Sequence, residues 1–598
     1  MGSNRFSLWV YALCVVVVSY TSFVYYPRWR QAGFEATISW DVSGYYWYLP
    51  SLFIYHDLGG QHFKDSILTR YRPTGDFQQA VQQPDGRYVL KYASGMALMY
   101  LPWFTAGHLV AGALGYPRDG FSAPYQVCIQ LGGLLVGLLG LWLFRRLLLR
   151  FYTDKIVAIV MAILVFGTNF WNYCAVDSGM SHIWLFTLYV LLLLNSIKFH
   201  EGYKAKYAIR IGLIIGLATL TRPTEILMCL IPLLWGMEAI GPAAMGARLR
   251  LLTGKWKLLL LAAACGAPIV FIQFIYWKAV SGHWVVYSYG DQHLYFRSPN
   301  FYNYTFSFRN GWLIYTPMLL LAFVGLIPFF RNGKNKVAIT AFFLLNYYVV
   351  CAWSIWWYGG RAMLQSYPVL MFPIASLVQM ALERRWVAVV TGPVVLLFLY
   401  LNIWFLHQSH RGGLMDTDVM TGPYYFAIAG RWQVPPETAF LKDGAELFNG
   451  TQLQKTPLWQ SNFEADTAHT DTCYAFGGKR SLRLDERTPY SVEYTFPTPG
   501  LNKQWLVVTG DFYCPVGESE TWSMAQLLIK AYSNGVVVKE NMLRVHRLLP
   551  PEQIRRISLF MSLPGSRADS VRVGIWNGYN TKVLYAGKLS VAAFNAGK

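Results

Sequence analysis

About a dozen apolar runs of some twenty residues each recur through the first two thirds of this chain, near 8–26, 93–114, 124–143, 156–172, 181–197, 207–220, 224–237, 258–277, 311–330, 337–354, 365–382 and 387–406. A run of that length matches the hydrocarbon thickness of a bilayer, where every backbone polar group must be satisfied within the segment. The runs therefore predict a polytopic α-helical membrane protein. Charged residues make up only 14% of the 598 residues, against about 25% in soluble domains, which supports the same class. The formal net charge of +20 raises nucleic acid as a partner. Most basic residues instead punctuate the gaps between apolar runs, as membrane topology requires, so nucleic acid is excluded as a partner.

Those basic gaps also give sidedness. "RRLLLRFYTDK", "KFHEGYKAKYAIR", "MGARLRLLTGKWK", "RNGKNK" and "ERR" alternate with short gaps that hold Lys and Arg only singly. The positive-inside rule makes the five cytoplasmic and the alternating gaps external. The long stretch after the first run is also fairly basic, but long loops follow that rule poorly. The first run, "LWVYALCVVVVSYTSFVYY", lacks a small-residue cleavage site and is read as a retained helix. Parity then forbids 93–114 from crossing fully. That run contains Pro102, His108 and three glycines, with a fourth, Gly115, just beyond it, and we read it as a re-entrant or interfacial helix in an external loop spanning 27–123. The expectation is about 11 spans within 1–406, in a bacterial-type inner or plasma membrane. An external N-terminus with that loop inside is the alternative topology.

From 407 the pattern changes. A linker over 407–435 leads into 436–598, where short alternating stretches such as "SLRLD", "QWLVVTGDFY" and "SVRVGIW" are separated by turn residues. This predicts an all-β sandwich or jelly roll on the external side, a carbohydrate-binding candidate. Trp505, Tyr513, Trp522, Trp576 and Tyr579 are its candidate sugar-stacking rings, set against a core role. Cys473 and Cys514 would be free to pair in an oxidising compartment. The remaining cysteines lie in or beside apolar runs without metal-ligand spacing.

With sidedness fixed, unusual polar residues gather at one membrane face: Asp41 in "WDVSGYYWYLP", Asp177 and His182 in "NYCAVDSGMSHIW", Arg222 in "GLATLTRPTEIL" and Arg361 in "WWYGGRAMLQSYP". An acid at the lip of a bilayer costs free energy and points to function. Guanidinium groups match phosphate bidentately, and Gly-Gly before Arg361 permits close backbone approach to a ligand. A lone carboxylate among aromatic rings suits a general base toward a hydroxyl. Arg222, Arg361 and Lys91 form the candidate donor-phosphate set. Tyr45, Tyr46, Asp177, His182 and Tyr289 form the candidate acceptor or substrate set. Asp57 in "IYHDLGG" is a second-rank candidate, set against a loop or cap role. Each of the others has a plainer role available, Asp177 as a helix cap and Arg222 as a headgroup anchor among them.

These motifs resemble the GT-C superfamily of membrane glycosyltransferases, which includes protein O-mannosyltransferases and aminoarabinose transferases. "KYASGMALMYLPWFTAGH", "DSGMSHIWLF", "GLATLTRPT", "SYGDQHLYF" with "RNGWLIYTPMLLL", and "WWYGGRAMLQSYPVLMFP" follow in similar order over roughly 1–406. The resemblance implies interfacial helices in the first external loop, a polyprenyl-phosphate sugar donor, and Asp41 as the catalytic aspartate. Many relatives have two adjacent acids here, whereas Val42 follows Asp41. A single base is therefore expected, no metal ligand set is assigned, and a divalent cation stays open. "SNFEADTAHTDTCYAFGGKRSLRL" resembles the start of jelly-roll carbohydrate-binding modules. The expected activity is sugar transfer to a glycan, lipid or protein hydroxyl on the external or periplasmic face, with inversion. A lipid-linked glycan flippase and a non-catalytic glycan-binding anchor are the competing expectations.

Overall fold

The computed structural model describes residues 5–353, 358–416, 419–444 and, between 446 and 597, all but 447, 449, 465–469, 475, 477, 492, 499–500, 502–503, 519–520, 522, 564–567 and 579–581. Trp356 and Trp357 of the "WWYGG" motif, Trp522 and Tyr579 lie outside the described residues. The chain divides into two units, Met1–Gly413 and Leu414–Lys598.

The first unit is helical. Among the described residues, five helices are long and apolar enough to cross a membrane: Arg5–Arg30, Ala123–Leu148, Ser181–Gly202, Trp256–Ser281 and Arg385–Gly412. Two of them leave large side chains uncovered along their length. Leu260, Phe271 and Ile275 are 58%, 49% and 55% exposed, and Val389, Leu396 and Leu397 are 72%, 67% and 52% exposed. Apolar faces of that extent on helices of spanning length suit contact with lipid. Opposite them, Val157, Met161, Leu164, Leu185, Leu193, Met371 and Ile374 are buried in one continuous core.

Other apolar runs fold into shorter pieces than their length predicts. The run near 224–237 becomes a 3₁₀ segment, Pro223–Cys229, and a short helix, Leu230–Leu234. The run near 311–330 breaks into Trp312–Tyr315, Pro317–Leu319 and Leu320–Asn332. Proline accounts for the second break, since Pro317 has no N–H to donate to the helix before it. The helix Gly95–Ala113, with Pro102 inside it, does not belong to the five long apolar helices.

The loop expected over 27–123 is ordered. It holds the helices Trp40–Tyr46, Tyr48–Phe53 and Lys64–Tyr71 and a two-stranded antiparallel pair, Ala80–Gln82 with Tyr88–Leu90. Buried polar contacts fix it in place. The Trp47 indole donates to Gln61 at 2.8 Å, and the Tyr46 hydroxyl donates to the Gly120 carbonyl at 2.5 Å.

The second unit contains two antiparallel sheets. The larger runs in the order Arg555–Ser562, Trp505–Tyr513, Leu584–Gly597, Ser481–Leu484 and Thr470–Asp471, with Thr451–Ser461 also paired to Leu584–Gly597. The smaller runs Tyr494–Pro497, Ser570–Trp576, Gln526–Ser533, Val536–Arg544. Alternation puts Leu506, Val508 and Phe512 of one sheet and Leu527, Ile529 and Ala531 of the other into a shared core. A buried carboxylate, Asp443, accepts from Arg544 at 2.7 Å and Arg547 at 3.2 Å. Cys473 and Cys514 are both free, the first exposed and the second buried within the sandwich. The pairing open to them on sequence grounds is therefore not made.

Candidate active site

One cavity of about 580 Å³ in the helical unit collects Asp41, Tyr45, Lys91, Tyr92, His182, Arg222, Tyr289, Trp353 and Arg361 among its lining. Its residues come from the first loop, the start of the helix Ser181–Gly202, the Arg222–Pro223 turn, the 287–294 segment and the Gly-Gly-Arg segment.

Asp41 enters the cavity from the first turn of Trp40–Tyr46. Trp40, the residue before it, takes a φ of 45°, a left-handed conformation that costs about 1–2 kcal/mol for a residue with a Cβ. Strain of that kind collects at functional sites when the surroundings impose it. Here the Trp40 N–H is tied to the Pro73 carbonyl at 3.0 Å. One turn further on is Gly44, where a Cβ would lie 2.4 Å from the Tyr92 ring. The missing side chain lets Tyr92 close over the helix and donate its hydroxyl to Asp41 at 2.6 Å. Arg361 forms an ion pair with the other Asp41 oxygen.

These contacts set the charge of the site. Burial pushes the Asp41 carboxyl pKa up, but Arg361, the Tyr92 hydrogen bond and Lys91 outweigh it and hold the group below the ordinary carboxylate value. Asp41 is therefore ionised at neutral pH. Burial, and then the Asp41 charge, raise the Tyr92 phenol well above its usual value, so Tyr92 remains a donor. Burial lowers Lys91, with Asp41 opposing the shift. The Lys91 ammonium lies 5.7 Å and 5.9 Å from the Tyr92 and Tyr289 ring centroids, within cation–π range.

Arg361 follows two glycines in left-handed conformations, Gly359 at φ 60° and Gly360 at φ 58°. The close approach they permit in the structure is to Asn169 and Trp312. A Cβ on Gly360 would fall 2.5 Å from Trp312, while Asn169 donates to the Gly359 carbonyl at 2.9 Å and Tyr304 to the Gly360 carbonyl at 2.9 Å. The Gly-Gly turn thus aims Arg361 by packing its backbone into the core.

Two residues of the candidate substrate set lie elsewhere. Tyr46 is fully buried, and its hydroxyl is spent on Gly120. It adjoins Tyr45 in the same helix and so points about 100° away. Asp177 pairs with Arg28 from the end of the first helical run and accepts from Asn172 at 2.8 Å, with His410 bonded to Asn172 at 2.6 Å. Neither residue lines the cavity. Asp57 accepts the Gly60 and His62 backbone N–H groups at 2.7 Å each and organises its own loop.

Sequence reading passed over the polar chain behind His182. Gln365 and Glu225 are 1% and 2% exposed. Gln365 bridges His182, at 3.0 Å, and Glu225, at 2.9 Å, and Tyr189 donates to Glu225 at 2.6 Å. An acid inside an apolar stretch was the available signal for Glu225. Gln365 carries none. Gln79 and Thr74 also line the cavity, from a loop whose sequence has no periodicity to read. Among the described residues, no group of His, Cys, Asp and Glu could hold a metal ion.

No protein-family model matches the chain, and no curated protein matches it. Solved structures give remote likenesses. The arabinosyltransferase EmbB of Mycobacterium smegmatis is similar at 12% identity and a TM-score of 0.30, over 82% of this chain and 59% of that one. The CBM22-1 xylan-binding domain of Paenibacillus barcinonensis Xyn10C is similar at 11% identity and a TM-score of 0.19, over 25% of this chain and 100% of that one. The C-terminal family 22 carbohydrate-binding module of Clostridium thermocellum Xyn10B is similar at 13% identity and a TM-score of 0.17, over 24% of this chain and 97% of that one. At such scores the chemistry has to be argued from the residues themselves.

Proposed function

We propose that this chain is an integral-membrane glycosyltransferase that moves a sugar from a polyprenyl-phosphate donor to an acceptor hydroxyl on the external or periplasmic face. The observation that carries the reading is one carboxylate, Asp41, sharing a cavity with Arg222, Arg361 and Lys91, three cations drawn from separate segments. Three positive groups around one acid leave a surplus that suits a phosphate.

In the proposed reaction the donor phosphate takes hydrogen bonds from Arg222 and Arg361. Turning to the phosphate draws Arg361 off Asp41 and raises the basicity of that carboxylate. The acceptor oxygen then attacks the anomeric carbon from the face opposite the phosphate. The bond from that carbon to the phosphate oxygen breaks, and its electron pair leaves with the polyprenyl phosphate. The acceptor proton passes to Asp41. One displacement gives inversion, and the arginines stabilise the charge that develops on the departing phosphate. Tyr45, Tyr92, Tyr289 and Trp353 wall the cavity and suit the faces of a sugar ring. The sandwich over 436–598 is assigned, as part of the same proposal, to holding glycan near the membrane surface.

The test incubates the purified full-length protein in lipid nanodiscs with a panel of polyprenyl-phosphate sugars and candidate acceptors, and measures release of polyprenyl phosphate. The expected result is turnover of at least one donor by the wild type and its loss in Asp41→Asn. Movement of a labelled donor across sealed vesicles, equal in wild type and Asp41→Asn and without any transfer, would overturn the reading.

A further inference from the structure

Two neighbours compete for one nitrogen in the cavity wall. His182 Nδ1 lies 3.0 Å from Gln365 Oε1 and 3.1 Å from Arg222 Nη1. Gln365 Oε1 can only accept, so it needs Nδ1–H. Arg222 can only donate, so it needs a bare Nδ1. Both bonds cannot exist at once.

The residues behind His182 decide between them. Glu225 has two donors on it, the Tyr189 hydroxyl at 2.6 Å on one oxygen and the Gln365 amide at 2.9 Å on the other, the arrangement a carboxylate requires. A Gln365 amide donating to Glu225 turns its Oε1 toward His182, and that oxygen demands Nδ1–H. A neutral imidazole with its proton on Nδ1 has a bare Nε2. His182 is 2% exposed and lines the cavity, and both of its hydrogen-bond partners among the described residues lie on Nδ1, which leaves Nε2 for a ligand.

We infer that Glu225, acting through Gln365, is a positioning residue that fixes the tautomer of His182, so that Nε2 presents a lone pair to a hydroxyl group of the bound sugar. The inference rests on the transferase reading for the identity of that hydroxyl. It divides the cavity by chemistry. Arg222, denied an acceptor on His182, keeps its donors for the phosphate. Nε2 accepts a neutral hydroxyl hydrogen and repels phosphate or carboxylate oxygens. His182 thereby selects a ring position that bears a hydroxyl over one that is deoxy or carries an acid.

Nitrogen NMR on full-length protein labelled with ¹⁵N-histidine tests this without any substrate, His182 being assigned from the signals lost in His182→Gln. The wild type is expected to show a protonated Nδ1 and a bare Nε2. Glu225→Gln can donate to Gln365, turn its amide and present N–H to Nδ1, so the proton is expected to shift to Nε2. The exchange Glu225→Gln with Gln365→Glu restores an acceptor beside Nδ1 and is expected to restore the wild-type pattern, which a purely structural role for Glu225 would not do. A wild type protonated on Nε2, or a Glu225→Gln pattern unchanged from wild type, overturns the inference. If Glu225→Gln does not fold, the wild-type spectrum alone decides. Since the spectra need no turnover, absence of transferase activity with the expected tautomer would count against the transferase reading only.

Discussion

Two of the carboxylate–guanidinium pairs in the helical unit, both drawn from the polar residues at the ends of apolar runs, differ in what lies beside them. Asp41 with Arg361 and Asp177 with Arg28 have similar exposures, 25% and 20% against 18% and 16%. Solvent access therefore does not separate them. Asp41 and Arg361 face a cavity that holds two further cations and an aromatic wall. Asp177 accepts from Asn172, which His410 holds in turn, and Arg28 donates to the Glu35 carbonyl and the Ser39 hydroxyl. The first pair has room to be exchanged for a ligand. The second ties the end of the first helical run to the segment before Ser181 and stays closed. An ion pair at a membrane lip becomes a candidate for chemistry through an adjoining cavity and surplus charge, and not through the pair itself.

The largest expected difference between the pairs is in turnover. Asp41→Asn should lower transfer by about 10²–10⁴-fold, the usual contribution of a positioned base, far more than the loss of melting temperature that follows from taking the carboxylate from Arg361 accounts for. Asp177→Asn should leave kcat within about twofold and lower stability by about 2 kcal/mol, since it removes one charged hydrogen bond from Arg28, which keeps the Glu35 carbonyl and the Ser39 hydroxyl. Both are read by transfer assay and thermal unfolding on the same preparations. An Asp177→Asn protein that melts normally but has lost transfer would break the distinction.

The arginines give the next effect. Arg361→Lys keeps the charge and removes the planar fork, so donor affinity should fall about tenfold, equivalent to 1.4 kcal/mol, measured as KM for the donor. Arg28→Lys should change the melting temperature and leave that KM alone. Lys91→Met should raise KM by a smaller factor, about threefold, because its ammonium rests over two rings as a point charge without a fork.

How far this was legible in the sequence depended on the residue. Apolar runs give the membrane class directly, because bilayer thickness dictates their length. Asp41, Arg222 and Arg361 stand out because charge at the edge of such runs is costly. Asp177 stands out for the same reason, and the sequence has no means of showing that Arg28, nearly 150 residues earlier, reaches it. Tyr45 and Tyr46 are indistinguishable in composition, and only the turn of the helix directs one to the cavity and the other to Gly120. The Gly-Gly pair was legible as a close approach but not as to what approaches, since Trp312 and Asn169 are distant in sequence. Gln365 is an ordinary amide until the fold puts it between His182 and Glu225.

The smallest effect is in pH dependence, and it separates the pairs without removing either acid. Asp41 is held below the ordinary carboxylate value of about 3.9 because Arg361, Tyr92 and Lys91 outweigh burial. A carboxyl whose folded pKa is depressed contributes stability that is full above its unfolded pKa and is lost as pH falls through the folded one. The Asp41 contribution therefore persists through the neutral range and decays only below about pH 4. For the same reason the acid limb of kcat/KM, which reports the free enzyme, should lie below that value in the wild type. Arg361→Gln removes the largest opposing charge and leaves burial in place, so the limb should move up in pH. Arg28→Gln removes a charge that Asp41 does not share and should leave the limb where it was. A limb that follows Arg28 and ignores Arg361 would transfer the catalytic role to the closed pair.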